Sequence, residues 1–186
     1  MKILIVRPWP SVLDVTKNTY NIQEVGLAKA LVKRGHPTDI LFWTDGDEMT
    51  VKVEVEGAKP INVFYRHGKV LLKNVWFGGQ EKLFAQYDVL QTAEYNQMFS
   101  WHLAGKYPEK TVVYHGPYYS PFNKNYNRMC RVFDALFVGR YRRCGTRFLT
   151  KSELARKFLL EKRLSPEQVT TVGVGIDAEL LRDRPD

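Results

Sequence analysis

Lys2-Ile-Leu-Ile-Val6, then Ile22-Gln-Glu-Val-Gly-Leu-Ala-Lys-Ala-Leu-Val-Lys-Arg-Gly35, then Asp39-Ile-Leu-Phe-Trp43 are the segments whose order decides the fold. The first is a short apolar run stopped by Arg7-Pro8-Trp9-Pro10, whose prolines block both helix and ladder pairing. In the second, Ile22, Val25, Ala28, Leu31 and Val32 recur at three- and four-residue steps, the period of a helix with one buried stripe. It closes on Lys33-Arg34-Gly35, cations in the last turn followed by a glycine suited to a left-handed cap. The third reads as a strand. Strand, loop, helix and strand in that order form the unit of a parallel sheet with crossover helices.

The same alternation runs outward from this unit. Val51, Val53 and Val55 alternate with Lys52, Glu54 and Glu56, a half-exposed strand, and Ile61, Val63 and Tyr65 repeat the pattern. Val70 to Leu72 adds a short strand, and Gly78-Gly79 introduces a helix over Gln80 to Gln86. Further on, strands are expected at Asp88–Thr92, Thr111–Tyr114, Ala135–Val138, Arg147–Leu149 and Val169–Val172. Helices are expected at Gln97–Gly105, Asn123–Phe133 and Arg140–Cys144. Thr150-Lys-Ser-Glu153 reads as a capping box opening a helix whose apolar stripe is Leu154, Phe158 and Leu159. Six or more such alternations in one unbroken block predict a Rossmann-like, doubly wound, mostly parallel α/β sheet with helices on both faces. Residues 1–177 are expected to form this single domain. Val172-Gly-Val-Gly-Ile-Asp177 then softens the backbone, and residues 178–186 read as the start of a crossover into further structure.

Composition agrees. The chain has 186 residues, 44% hydrophobic and 26% charged, proportions of a globular protein that can bury a real core. Its longest early apolar run, Ile3 to Val6, is too short for a signal-peptide core, and Cys130 and Cys144 lack metal-ligand spacing. Free thiols without a secretory signal read as a cytoplasmic chain. The net charge of +8 concentrates between Arg140 and Arg163. That stretch reads as a solvated face or as a peripheral contact for anionic lipid headgroups. No nucleic acid is expected, because no zinc-knuckle, RNA-recognition or helix-turn-helix signature accompanies the charge.

In a doubly wound sheet, ligands sit beyond the carboxyl ends of the strands. The first such loop holds Asn18 and Thr19 where it meets the helix, and either helix capping or hydrogen bonding to a phosphate would use them. It carries neither G-x-G-x-x-G nor a Walker lysine. His115 follows the strand Thr111–Tyr114 and precedes Gly116-Pro-Tyr118, a histidine beside a glycine that permits close approach. Tyr118 and its neighbouring aromatics offer flat faces and hydroxyls. Glu94 ends another strand, and no second carboxylate stands at a hydrolase spacing. His36, His67 and His102 have no partners at metal spacing, so neither a metal nor a cofactor is expected. These are binding groups without a self-contained catalytic set.

Several segments resemble family 4 glycosyltransferases of the GT-B fold, in that family's order: Met1–Val6, Val25–His36, Tyr87-Asp-Val-Leu90, Tyr114-His115-Gly116, Thr150–Leu154 and Val172–Asp177. The resemblance implies the N-terminal, acceptor-binding half of a retaining enzyme. Its nucleotide-sugar donor would bind chiefly in a C-terminal domain absent from this chain. The acceptor would be a saccharide, a lipid-linked sugar or another hydroxyl, and no bound metal would be needed. On this resemblance His115 is the catalytic-side histidine of the cleft. Asn18, Thr19, Glu94, Gly116 and Tyr118 become the substrate- and donor-binding set. Asn18-Thr19 departs from the glycine pair common in the family, whose missing Cβ atoms let backbone N–H groups approach a diphosphate. The alternative is a non-catalytic Rossmann-like module that binds a sugar or nucleotide.

Overall fold

The run Ile3–Val6 forms β1, every residue of it buried, as expected of a strand covered on both faces. In the computed structural model, which describes residues 1–17, 22–71 and 73–175, the chain divides into two units, built on residues 1–89 and 90–174.

In the first unit β1 leads through α1 (Gln23–Lys33) to β2 (Thr38–Trp43), with Ile3 opposite Thr38 and Val6 opposite Leu41 in a parallel ladder. Val25, Ala28 and Val32 of α1 turn inward, and Gly35 closes the helix at φ 82°. They pack with Ile5, Ile40, Phe42, Ile61 and Val63 in one apolar cluster. β3 (Met49–Val53) and β4 (Ile61–Arg66) complete the order β1-β2-β4-β3, in which β4 is parallel to β2 and β3 is antiparallel. β5 (Lys69–Leu71) and β6 (Asn74–Trp76) form a separate hairpin, and α2 is only Glu81–Phe84. Buried Asp39 is fully occupied: its carboxylate accepts from Asn62 N–H and Nδ2 (each 2.9 Å) and from the Tyr87 hydroxyl (2.6 Å).

The second unit orders β7 (Val89–Ala93), β8 (Thr111–His115), β9 (Arg147–Thr150) and β10 (Val169–Thr171) side by side, all parallel. Helices α3 (Met98–Lys106), α4 (Lys124–Leu136), α5 (Val138–Cys144) and α6 (Glu153–Glu161) connect them. Tyr95, Phe133, Tyr141, Phe148, Phe158 and Leu159 form its core.

Three local expectations are corrected. Ala135–Val138 is not a strand: α4 runs to Leu136 and α5 starts at Val138. A four-residue apolar run carries no period of its own, and here Phe133, Val138 and Tyr141 bury themselves as helical positions. The cap of α6 is Ser152, whose hydroxyl accepts from Ala155 N–H at 3.1 Å. Thr150 lies in β9, its hydroxyl directed to Thr171. Leu154 is 55% exposed, and Ala155 joins Phe158 and Leu159 on the buried stripe instead.

The architecture is therefore α/β, Rossmann-like and mostly parallel. The parallel register of β7, β8 and β9 brings together Glu94, His115 and Lys151 at their carboxyl ends.

Candidate functional site

A polar side chain stands at or directly after the end of each of the three strands. Glu94 follows β7 in the left-handed region at φ 60°, unusual for a residue with a Cβ and of order 1–3 kcal/mol unfavourable. Its N–H donates to Tyr114 O (3.0 Å), while its carbonyl accepts from Gln97 N–H (3.2 Å), so both neighbouring segments hold the turn. That turn directs a largely buried carboxylate to His115, with Glu94 Oε2 2.7 Å from Nδ1.

His115 is the last residue of β8, not part of the following loop, and its ring is wholly buried. Phe158 stacks on it at 5.5 Å between centroids, and Tyr95 meets it edge-on at 5.2 Å. Its other nitrogen, Nε2, is buried with no hydrogen-bond partner among the described residues. Such a group costs on the order of 1–3 kcal/mol, and its persistence calls for an explanation.

Gly116 performs two tasks. Its N–H points to Glu94 Oε2 at 3.4 Å, and its missing side chain leaves room for Lys151. A Cβ on Gly116 would stand 2.6 Å from Lys151 Cδ and 3.2 Å from Cε. Lys151 follows β9, donates its N–H to His115 O at 2.9 Å, and crosses the Gly116 gap to place Nζ 3.9 Å from Glu94 Oε1. The same ammonium lies 4.9 Å over the Tyr114 ring, whose hydroxyl donates to Gly173 O at 2.9 Å. Burial raises the Tyr114 hydroxyl above its ordinary range.

Of the residues expected at the site, Glu94, His115 and Gly116 are brought into contact. Tyr118 stands 43% exposed. Asn18 and Thr19 lie outside the described residues, as does the crossover segment 178–186. Lys151 escaped the sequence reading because Thr150–Glu153 was absorbed by its helix-capping pattern. Its signal was its place directly after a strand.

A second polar group lies behind Phe158. Lys162, buried, pairs with Asp134, donates to the Tyr119 hydroxyl (3.1 Å), and sits 4.0 Å from the Phe158 ring centroid. Burial also pushes the Tyr95 hydroxyl and the Cys130 thiol upward. A concavity of about 200 Å³ opens there, lined by Tyr119, Asp134, Arg142, Glu161, Lys162 and Arg163, while another sits beside the β5–β6 hairpin; neither is lined by His115. Among the described residues no group of three or more His, Cys, Asp or Glu is placed to hold a metal. No described helix is long and apolar enough to cross a membrane.

No curated protein matches the chain. Among solved structures, it is similar to Anabaena Alr3699/HepE, crystallised in complex with UDP and glucose. The two share 14% identity at a TM-score of 0.54, over 97% of this chain and 46% of that one, a likeness of fold. The chain thus spans about half of that structure's length. Residues 25–180, from the first crossover helix past the last strand, match Glycosyltransferase Family 4, and the chain belongs to that family.

Proposed function

We propose that this chain is the acceptor-side half of a glycosyltransferase that moves a hexose from a nucleotide sugar to a hydroxyl acceptor with retention of configuration. Residues 1–177 would be that half, and residues 178–186 would lead to a donor-binding domain. The observation that carries the reading is the Glu94–His115 pair at the strand ends, with His115 Nε2 unpartnered among the described residues. A sugar hydroxyl is the class of group that completes a buried, unpartnered imidazole nitrogen without adding charge. Because the ring is wholly buried, binding has to displace residues covering it.

In this reading His115 orients a sugar hydroxyl in the transition state, Gly116 allows close approach, and Tyr118 contributes an exposed face. Asn18 and Thr19 would donate to the diphosphate. The protein would act in the cytoplasm, which suits its two free thiols, Cys130 and Cys144. Its acceptor would be a saccharide or a lipid-linked sugar. Peripheral contact with anionic lipid rests on Arg142, Arg143, Arg147, Lys157 and Arg163, which are exposed.

The test is His115→Ala in the full-length protein. Loss of a hydrogen bond made in the transition state should lower turnover by roughly 10²–10³. Unchanged turnover from nucleotide sugars would remove His115 from the mechanism.

A further inference from the structure

We propose that Glu94 is a positioning residue, fixing the His115 proton on Nδ1 so that Nε2 presents a bare lone pair. The proposal rests on the functional reading of His115 for its catalytic consequence, but not for the tautomer itself.

The hydrogen-bond inventory decides the tautomer. Glu94 Oε2, 2.7 Å from His115 Nδ1, also accepts from Gly116 N–H, and Oε1 faces the Lys151 ammonium. Its two other recorded partners, the Gly116 N–H and the Lys151 ammonium, are donors, so the carboxylate acts as the acceptor, and Nδ1 carries the hydrogen that joins them.

Charge decides that Nε2 stays bare. Glu94 and Lys151 already balance as one negative and one positive group. A second proton on the imidazole would leave an uncompensated positive charge and place an N–H in a spot with no acceptor among the described residues. The groups packed on the ring are Tyr95 and Phe158, neither of which supplies a negative charge. Asp134, whose partner Tyr95 meets the ring edge-on, is itself occupied by Lys162, the Tyr95 hydroxyl and the Tyr119 hydroxyl.

The backbone supports the same assignment. Glu94 holds a left-handed turn that residues without a Cβ adopt more readily, yet the position carries a carboxylate aimed at one histidine nitrogen. Gly116, in turn, leaves the gap through which Lys151 reaches the other oxygen. Without this anchor nothing fixes which nitrogen carries the hydrogen, and a hydroxyl donor to Nε2 would meet a proton in part of the molecules.

Side-chain ¹⁵N spectra of the intact protein with labelled histidine test this without any substrate, His115→Ala identifying the signal. The expected wild-type signature is a neutral ring with hydrogen on Nδ1 and none on Nε2. Glu94→Gln keeps it, because the amide oxygen still accepts, while Glu94→Leu loses it. A wild-type ring protonated on Nε2, alone or together with Nδ1, overturns the proposal whether or not Glu94→Leu folds. In turnover assays, Glu94→Leu should fall by roughly 10²–10³, as His115→Ala does, with substrate KM changed far less than kcat. Glu94→Gln should retain most of the rate, and the Glu94→Leu/His115→Ala pair should be no slower than His115→Ala alone. Multiplied losses in the pair would overturn the positioning role. If His115→Ala leaves turnover intact while the ring carries its hydrogen on Nδ1, the tautomer assignment stands and the functional reading of His115 falls.

Discussion

At the scale of the residue, the site depends on what is missing from Gly116 as much as on the groups present. Gly116→Ala would put a methyl 2.6 Å from Lys151 Cδ. Lys151 is flexible enough to move aside, so the folding cost should stay near ~1 kcal/mol, but its ammonium would leave Glu94. We expect nearly unchanged thermal unfolding and a clear loss of turnover in the full-length protein; equal loss of both would make Gly116 a folding residue only. Buried hydroxyls and a thiol give a second outcome, in pH. Burial holds Tyr95, Tyr141 and Cys130 protonated beyond their ordinary values of 10.0 and 9.0. Raising pH therefore deprotonates these groups first in the unfolded chain, which binds fewer protons than the native state, and stability must fall. The stabilisation is complete below about pH 9 and is lost above it, at roughly 1.4 kcal/mol per pH unit for each group. A melting temperature that holds steady from pH 9 to 11 would contradict this.

At the scale of the element, α4 separates buried from exposed positions sharply. Cys130 and Phe133 face the core, whereas Met129, Val132 and Leu136, at three- and four-residue steps, are each more than half exposed. Phe133→Ala should cost roughly 3–5 kcal/mol, because its ring packs against Tyr95, Phe137 and Tyr141. Leu136→Ser should change stability by no more than about 0.5 kcal/mol. Chemical denaturation of the two variants measures both, and a large loss in Leu136→Ser would mean that its face is covered in solution. The basic stretch also resolves at this scale. Arg140 stacks 3.4 Å over the Trp101 ring, in space left by Gly105, and Arg156 pairs with Glu153. With Lys162 buried, several of these cations hold helices in place rather than forming a free patch.

At the scale of the whole molecule, each unit has its own apolar core, yet the candidate site supplies no complete catalytic set. Residues 1–186 should therefore fold cooperatively and transfer no sugar. Thermal unfolding together with an assay of nucleotide-sugar turnover checks this, and measurable transfer by residues 1–186 would refute the half-enzyme reading. Contact with anionic lipid should be modest and salt-sensitive, since it relies on the exposed remainder of the basic stretch. Sedimentation with anionic and neutral vesicles at low and high salt tests it. Equal indifference to both at low salt would favour a soluble acceptor.

The α/β class was legible in the chain because period and punctuation are local. Ile3–Val6, the stripe of α1 and Gly35 each declare their conformation within a few residues. The carboxyl ends of the strands could be named for the same reason, with Glu94, His115 and Gly116 at or just past them. Where a segment had no period, the reading failed: Ala135–Val138 became the junction of two helices because Phe133 of α4 and Val138 and Tyr141 of α5 bury together in one core. The meeting of Glu94, His115 and Lys151 was invisible to any local rule. They are 21 and 36 residues apart along the chain, and only the parallel register of β7, β8 and β9 brings their ends together. Local backbone preference determined the elements; hydrogen bonding between strands remote in sequence decided which side chains share a charge and a proton.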